Sequence, residues 1–305
     1  MRIVIALGGN ALLRRGEPLD AAVQLGNVRR AARALAPITR DHQVIVTHGN
    51  GPQVGFLALQ SEGGPAARPL PLDVLGAETQ GMIGYMIEDE LRDALGGSRE
   101  LATVLTQVVV DADDPAFASP TKPVGPVYEE REARELARKR GWSVAPDGAH
   151  WRRVVPSPEP RRIVEIAAIR ILVEAGVIVI CAGGGGVPVV REASGSLQGA
   201  EAVIDKDLCA ALLGSQLEAS VLLMLTDADA VYSGWGGPDA APIRRATPSM
   251  LRGMTFPAGS MAPKVEAACR FVEAGGAAGR FAAIGALEDV EAVLRGEKGT
   301  RIAAD

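Results

Sequence analysis

Two lysines of this 305-residue chain lie where helices are predicted to begin, and both positions suit an anionic ligand. Lys206 follows Asp205 in the segment VIDKDLCAALLG, where Asp205 is a suitable N-cap for the apolar helix behind it. A lysine in the first turn opposes the helix dipole unless an anionic partner compensates for it. Lys264 ends the segment FPAGSMAPK directly before another predicted helix, and a glycine-containing loop at a helix start is a geometry that binds phosphate.

Asp207, which follows Lys206, leaves two interpretations open. A carboxylate in the first turn of a helix suits the helix dipole, so dipole compensation alone is a sufficient explanation of this residue. The same explanation fails for Lys206, because its charge has the wrong sign. The residue types at this helix start therefore favour an anion site without assigning a role to the aspartate.

Glycine loops follow three of the predicted strands. The apolar run RIVIAL ends at Gly8, Gly9 and Asn10, the run QVIVT ends at HGNGPQVG, and the strand Val177–Cys181 ends at GGGGVP. Because glycine has no Cβ, the backbone N–H groups of such loops can point at an anion. One Gly-Gly pair is better explained as a tight β-to-α turn, but three loops at the carboxyl ends of parallel strands indicate one shared cleft.

Several well-known catalytic motifs are missing from the sequence. The segment HGNGPQVG has Val54 where a dinucleotide fingerprint needs its third glycine, and no Gly-Lys pair precedes Ser or Thr as in a P-loop. The GxSxG elbow and the protein kinase motifs are also missing. The three histidines show no triad or metal spacing, and we expect His48 to anchor its own loop.

Composition excludes some classes of partner. The net charge is −5 and aromatic residues make up 4% of the chain, so we expect no nucleic-acid partner. No apolar run has the length of a membrane span and no signal-peptide pattern is present, so we expect a cytoplasmic protein without a membrane partner. The three cysteines stand far apart in apolar surroundings, and we interpret them as reduced packing residues.

Strand and helix patterns alternate along the chain, which is typical of an α/β fold with a parallel sheet. The segment Ala102–Val110 is predicted to be one strand and Arg161–Ala175 one helix. The helix predicted for Val74–Leu95 contains three glycines, each of which costs roughly 1 kcal/mol relative to alanine. We therefore expect this helix to pack closely, either on a second subunit or on the HGNG loop.

A change in composition marks the middle of the chain. Eight of the twenty prolines lie between Ala112 and Pro160, together with a charged helix predicted for Glu129–Arg140. This stretch is too ordered in pattern for a linker and too short for a domain. We expect a single domain over 1–305, with a protruding subdomain over 112–160 inserted in it.

The motifs, taken together and in order, resemble the carbamate kinase branch of the amino acid kinase family. They are ALGGNA, HGNGPQVG, TQVVVD, SPTKPVGP, VVPSPEP, GGGGVPVV, VIDKD and PAGSMAPK. The resemblance spans nearly the whole chain. It implies a three-layer αβα sandwich around a mostly parallel open sheet with a small protruding α+β subdomain. It also implies a homodimer and a reversible reaction of carbamoyl phosphate with ADP that gives ATP and carbamate, with Mg2+ carried by the nucleotide and no protein metal site.

The same resemblance assigns expected roles to individual residues. Lys206 and Lys264 would neutralise charge on the transferring phosphoryl group, Asp207 would orient the two ammonium groups, and Lys122 would act as a mobile clamp over carbamoyl phosphate. The substrate-binding residues would be Gly8, Gly9, Asn10, Gly49, Asn50 and Gly51. The nucleotide-binding residues would be Thr226, Asp227, Tyr232, Met261 and Lys264.

The chain departs from the family pattern at two places. Ala149 and His150 stand where a more glycine-rich turn is usual, and Ala6 stands where other branches place a lysine before the first glycine loop. The missing lysine favours the carbamate branch, in which Lys206 takes its place. Two alternatives stay open: a kinase for another small carboxylate or phosphate acceptor, and a non-catalytic nucleotide sensor with the same fold.

Overall fold

The computed structural model describes residues 1–14, 16–18, 20–62, 69–257, 259–275 and 279–304, without the side chains of Asn10 and Glu62. The described helices and strands are, in chain order, β1 (Arg2–Leu7), α1 (Ala21–Asp41), β2 (Gln43–His48), α2 (Gly51–Glu62), α3 (Leu72–Leu95), β3 (Leu101–Val104), β4 (Gln107–Val109), β5 (Lys122–Tyr128), α4 (Glu130–Arg140), β6 (Ser143–Asp147), β7 (His150–Val155), β8 (Arg162–Ile163), α5 (Ile166–Glu174), β9 (Ile178–Cys181), β10 (Val187–Arg191), β11 (Leu197–Gly199), α6 (Lys206–Gln216), β12 (Val221–Thr226), β13 (Val231–Ser233), β14 (Ala241–Ile243), β15 (Arg245–Ala246), α7 (Pro248–Arg252), α8 (Met261–Glu273), β16 (Phe281–Ala286), α9 (Val290–Arg295) and β17 (Thr300–Ala303).

A large sheet with the strand order β15-β17-β16-β12-β1-β2-β9-β3 organises the fold. Its strands pair in parallel except for β16 and β17, which are antiparallel. Helices cover both faces, so the expected three-layer αβα sandwich with a mostly parallel sheet is confirmed. Among the described residues, no helix is long and apolar enough to cross a membrane.

The central strand β1 shows why the sheet needs helices on both faces. Ile3, Ile5 and Leu7 enter one apolar core, which residues of α1, α3 and α9 complete. Val4 and Ala6 enter the opposite core, which residues of α5, α6 and α8 complete. Because successive strand side chains point to opposite faces, an entirely apolar strand must be covered on both sides.

The strands that precede the three glycine loops are neighbours in the sheet. β1 pairs with β2, and β2 pairs with β9, in each case in parallel. The loops that follow them therefore lie at one edge of the sheet, as the sequence predicts. β12 lies on the other side of β1, so its end at Thr226 joins the same edge.

The prediction of one strand over Ala102–Val110 is wrong. β3 belongs to the large sheet, whereas β4 belongs to a second sheet with the order β11-β10-β4-β8. The strand is interrupted at Thr106. The side chain of this residue donates to the carbonyl of Val104 and accepts from the amide of Ala182. The side chain of Gln80 also bonds both backbone groups of Thr106. These tertiary contacts override the local strand propensity.

The predicted helix Arg161–Ala175 starts later than expected. Its first residues form β8, which pairs antiparallel with β4, and α5 begins only at Ile166. Backbone bonds from Arg161 to Val109 and from Val164 to Gln107 extend this pairing. The sheet partner, which is distant in sequence, decides the conformation of this segment.

The glycines of α3 have different surroundings. A Cβ on Gly84 would collide with the side chain of Thr103, so this glycine allows α3 to pack against β3. Among the described residues, no atom outside the helix backbone lies within 4 Å of a Cβ built on Gly76 or Gly81. The HGNG loop contacts α3 through a different residue, since Asn50 donates to Thr79 at 2.8 Å.

A separate three-stranded antiparallel sheet has the order β5-β7-β6 and carries α4; we call it the small sheet. Arg134 of α4 lies over the ring of Trp151, 4.7 Å from its centroid. The base of the small sheet packs on α2 and α3 through an apolar cluster of Val54, Ala58, Leu72, Leu75, Val124 and Val155. At the same contact, the backbones of Gly55 and Gly125 lie so close that Gly55 has no room for a Cβ.

Candidate active site

The segment VIDKD leads into helix α6 and contains three charged residues of the candidate site. Asp205 is the N-cap, as predicted, and its Oδ1 accepts from the amides of Asp207 at 2.9 Å and Leu208 at 3.2 Å. This cap satisfies backbone donors that a helix start otherwise leaves unpaired. Lys206 and Asp207 are thereby held in the first turn of α6.

Lys206, Asp207 and Lys264 form a buried charge cluster. Asp207 Oδ2 accepts from Lys264 Nζ at 2.9 Å and lies 3.2 Å from Lys206 Nζ. The side chains of Asp207 and Lys264 are 5% and 9% exposed. Lys264 comes from the first turn of α8, so two helices from distant parts of the chain bring their starts together.

The pKa values in this cluster follow from burial and from the neighbouring charges. Burial alone raises the pKa of Asp207, but the two ammonium groups outweigh it and lower that pKa to about 2. Burial lowers the pKa of Lys264, and the charge of Lys206 adds to the effect. For Lys206, the attraction of Asp207 and Asp205 outweighs burial and raises the pKa. An ionised Asp207 between two ammonium groups leaves one net positive charge for an anionic ligand.

The first two glycine loops make room for this cluster. A Cβ on Gly8 would lie 2.9 Å from the carbonyl oxygen of Leu225, so only glycine lets β1 end so close to β12. A Cβ on Gly49 would lie 3.2 Å from the side chain of Lys206 and 3.7 Å from Gly9. Both loops therefore meet at the stem of Lys206.

The third glycine loop supports the site from behind. A Cβ on Gly183 would collide with the ring of His48, one on Gly184 with the side chain of Asn50, and one on Gly185 with the carbonyl of Ile204. Ile204 leads directly into α6. This loop thus fixes the second glycine loop and the approach to Lys206.

His48 is buried in this support layer. Its Nδ1 lies 3.0 Å from the carbonyl oxygen of Gly49, so the ring contacts its own loop as the sequence predicts. Burial lowers the pKa of His48 to about 4. A neutral ring suits this buried position behind the second glycine loop.

A cavity of about 480 Å³ opens on the charge cluster. It brings together ten of the residues predicted for the site: Gly8, Gly9, Lys122, Lys206, Asp207, Thr226, Asp227, Tyr232, Met261 and Lys264. Gly49 lies behind Lys206, Asn50 is turned to α3 by its bond to Thr79, and Gly51 starts α2. The side chain of Asn10 lies outside the described residues.

Several residues that line this cavity were not predicted for the site, and Trp235, Phe256 and Asp205 are the ones that add an aromatic ring or a charge. Trp235 is 63% exposed and meets Tyr232 edge-on, with 5.4 Å between the ring centroids. Phe256 and Asp205 also line the cavity. An aromatic residue within the glycine-rich segment SGWGG was the available signal for Trp235, whereas Phe256 joins the site only through the tertiary fold.

Carboxylates that line the cavity are the side chains that could hold Mg2+. Among the described residues, no group of three or more His, Cys, Asp or Glu side chains could hold a metal ion. Asp207 contacts two lysines, and Asp205 contacts Lys122 and caps α6. The exposed Asp227 of the lining accepts from the hydroxyl of Thr226 at 2.9 Å. This donor set fits Mg2+ that is held mainly by phosphates and water.

The sequence profile of the amino acid kinase family matches residues 1–282, and the chain belongs to this family. It is 56% identical to a carbamate kinase of Rhizobium meliloti, with 100% of this chain and 94% of the relative covered. It is 52% identical to a carbamate kinase of Haemophilus influenzae, with coverage of 99% and 96%. The structure of carbamate kinase from Giardia lamblia bound to AMP-PNP superposes with a TM-score of 0.90 at 39% identity, over 100% of this chain and 98% of that one.

Proposed function

We propose that this protein catalyses reversible phosphoryl transfer between carbamoyl phosphate and ADP, which gives carbamate and ATP. The curated relatives that carry the name carbamate kinase match nearly the full length at about half identity. The observation that carries the proposal is the pair of ammonium groups that share Asp207 Oδ2 beside the glycine loop at Gly8 and Gly9. Phosphoryl transfer needs positioned positive charge and backbone donors more than it needs covalent chemistry.

The reaction requires no proton transfer. In the direction of ATP synthesis, a β-phosphate oxygen of ADP attacks phosphorus, and the bond between phosphorus and the carbamate oxygen breaks. The electron pair leaves with carbamate, which is already an anion. The charge cluster therefore has to stabilise charge rather than move a proton, which agrees with the neutral, buried state of the nearest histidine, His48.

We assign the two halves of the cavity to the two substrates. Gly8 and Gly9 line the part that binds carbamate and the phosphoryl group. Asn10, Gly49, Asn50 and Gly51 keep their expected roles in binding the same groups, although Gly49 lies behind Lys206 and Asn50 is turned to α3. Lys206 and Lys264 stabilise the phosphoryl group during transfer, and Asp207 keeps both ammonium groups aimed at the same point. These roles are supported by the burial of the cluster, because a fixed charge in a low-dielectric site acts more strongly than one in water.

Other residues of the cavity lining suit the nucleotide. Thr226, Asp227, Tyr232 and Met261 line it, and Trp235 adds an exposed ring beside Tyr232. An aromatic surface of this kind stacks on a base. Mg2+ would be held by the nucleotide phosphates and would supply additional positive charge to the transfer. Because ADP and ATP are supplied inside cells, we assign the reaction to the cytoplasm.

Lys122 and the small sheet form the third part of the proposal. We interpret 112–160 as one subdomain inserted in a domain that spans the chain, with Lys122 as its contribution to the cavity. The side chain of Lys122 is 35% exposed, so it stands at the rim rather than in the buried cluster. A rim lysine on a separate sheet suits a clamp that closes over carbamoyl phosphate.

We also propose a homodimer that forms through α3. Val74, Met82 and Tyr85 share one outward face of this helix and are exposed. Gly81 lies beside them and has open space where a Cβ would stand. Apolar side chains around a glycine allow two helices to approach closely.

The test is ATP formation from carbamoyl phosphate and Mg-ADP in a coupled assay. We expect turnover that depends on both substrates, and a reaction without ATP would contradict the proposal. The reverse reaction, with ATP and carbamate against acetate and glutamate as acceptors, separates this activity from that of another carboxylate kinase. Nucleotide binding without turnover would instead identify a sensor.

A further inference from the structure

We infer that Asp205 is a positioning residue, which holds the ammonium group of Lys122 in place while it caps the helix that carries Lys206 and Asp207. This inference rests on the proposed phosphoryl transfer and adds a residue that the roles assigned above do not include. The inference rests on the hydrogen-bond partners of the two carboxylate oxygens of Asp205.

Each oxygen of Asp205 has its own partners. Oδ1 accepts from the two backbone amides that begin α6. Oδ2 accepts from Lys122 Nζ at 2.5 Å. One rigid carboxylate therefore links the first turn of α6 to the first residue of β5, which lies 83 positions earlier in the chain.

The residues that precede α6 run alongside the small sheet and contact it at several points. Glu201 lies 3.8 Å from Arg153, the amide of Val203 donates to the carbonyl of Pro156 at 3.0 Å, and Asp205 pairs with Lys122. The side chain of Val203 also packs on the apolar cluster that contains Val124 and Val155 of the small sheet. Of the three, only the contact of Asp205 lies on the cavity.

A cap alone does not explain the charge of Asp205. Asparagine and serine cap helices about as well as aspartate, so the negative charge is not needed for Oδ1. The negative charge acts at Oδ2, where it restrains the side chain of Lys122, which otherwise samples many rotamers. An ammonium group has three donors, so Lys122 can keep its bond to Asp205 and still donate to a bound phosphoryl oxygen.

The charge balance of the cavity points in the same direction. Lys122, Lys206 and Lys264 bring three ammonium groups to one lining, and Asp205 and Asp207 are their carboxylate partners. Without Asp205, Lys122 would repel the other two lysines and move toward solvent. Substrate binding would then have to order the side chain of Lys122, and this cost would lower the affinity for the substrate.

The central experiment is the substitution Asp205→Asn, which keeps an acceptor for the helix cap and removes the charge. We expect the urea unfolding midpoint to stay near that of the wild type, whereas kcat/KM for carbamoyl phosphate falls roughly tenfold. The matched control is Glu201→Gln, which removes the charge that faces Arg153 of the small sheet and keeps an oxygen that can accept from the amide of Leu72. We expect the control to keep wild-type kinetics.

A double-mutant cycle separates positioning from a general structural effect. In a Lys122→Ala background, Asp205→Asn should cause little further loss of kcat/KM, because the lysine that it positions is gone. Losses that multiply independently would overturn the inference. A wild-type kcat/KM in Asp205→Asn would overturn it as well.

A readout without turnover keeps this inference distinct from the proposed function. Acetic anhydride labelling of the substrate-free protein, read by mass spectrometry, reports how accessible the Lys122 amine is. We expect Asp205→Asn to raise the labelling of Lys122 several-fold and Glu201→Gln to leave it unchanged; equal labelling in all three proteins would overturn the contact. If the wild type forms no ATP, the proposed reaction fails and the kinetic role of Asp205 fails with it, while the labelling still decides the contact.

Discussion

A single carboxylate oxygen that serves two lysines defines the chemistry of this site. Asp207 Oδ2 contacts both Lys206 and Lys264, so neither ammonium group can move without affecting the other. Placing an isolated ammonium group in a buried site is costly, and the shared aspartate reduces that cost. The arrangement is thus stable when empty and still carries the net positive charge that a phosphoryl group needs.

Replacement of Lys264 tests the catalytic half of this cluster. We expect Lys264→Ala to lower kcat by about 10²-fold or more, because it removes a charge that acts on the transition state. The folded state should lose little stability, since Asp207 keeps Lys206 as a partner. Steady-state ATP formation and urea unfolding measure the two effects.

The control for this substitution is Lys298→Ala, which removes an exposed lysine whose partner is Asp289. It should leave turnover unchanged. Near-normal turnover in Lys264→Ala would refute the role assigned to that lysine.

The buried ring of His48 predicts how stability depends on pH. Its pKa is about 4 in the folded protein against 6.5 for an unperturbed histidine, so the unfolded chain binds the extra proton between these values. The free energy of unfolding should therefore decrease as the pH falls through this window, by up to about 1.4 kcal/mol per pH unit. Asp207, with its pKa lowered to about 2, contributes its own loss only at more acidic pH.

Urea unfolding between pH 5.0 and 6.5 measures this slope. His48→Gln should flatten it, whereas substitution of the exposed His150 by glutamine should leave it in place. A wild-type protein whose stability is constant over this range would contradict the assignment.

At the scale of elements, strand ends were easier to predict than strand continuity. The loops after β1, β2 and β9 follow apolar runs that stop at glycine, and this local signal is sufficient to predict a shared edge of the sheet. The break at Thr106 depends on Gln80 and Ala182, which lie on other elements. Those partners are distant from Thr106 in sequence. Local strand propensity therefore predicted one continuous strand in place of β3 and β4.

The candidate site divides in the same way. Lys206 and Lys264 could be predicted because each stands at a helix start, where a cation is locally unfavourable. The second oxygen of Asp205 and the ring of Phe256 gain their roles only when the small sheet and the segment before α8 meet the cavity. Local chemistry therefore pointed to the two lysines, the family resemblance added their pairing with Asp207, and tertiary contacts supplied the rim of the cavity.

The seating of the small sheet can be tested at Gly55. A side chain on this residue of α2 would overlap the backbone of Gly125 in β5, and both backbones are too constrained to yield cheaply. We expect Gly55→Ala to raise KM for carbamoyl phosphate, because it displaces the sheet that carries Lys122. Steady-state kinetics with carbamoyl phosphate as the varied substrate give the measurement.

Gly26→Ala is the matched control, because this glycine lies in α1 and has open space around the position of a Cβ. It should leave kinetics unchanged and stabilise the protein by about 0.4–1 kcal/mol, since alanine loses less backbone entropy in a helix. If Gly55→Ala also kept wild-type kinetics, the small sheet would not depend on this contact.

At the scale of the molecule, the large sheet and the small sheet have separate apolar cores, and Lys122 is the residue of the small sheet that lines the cavity. The large sheet is covered by two apolar layers, whereas the small sheet rests on α2 and α3 through a cluster of its own. Movement of the small sheet therefore need not disturb the packing that holds Lys206 and Lys264. The same helix α3 supports the small sheet near its start and presents an apolar face further along, so it connects the sheet that carries Lys122 to the proposed dimer contact.

The outward face of α3 yields the last prediction. Tyr85 is 68% exposed, and Met82 lies close to it on the same face of the helix. In a symmetric dimer each substitution on this face acts twice, so Tyr85→Glu places two carboxylates at the contact of the two helices. We expect a wild-type dimer and a monomeric Tyr85→Glu variant in sedimentation velocity. Met250→Glu, on an exposed residue of α7, should remain dimeric. A monomeric wild type, or a variant that stays dimeric, would show that α3 does not mediate association.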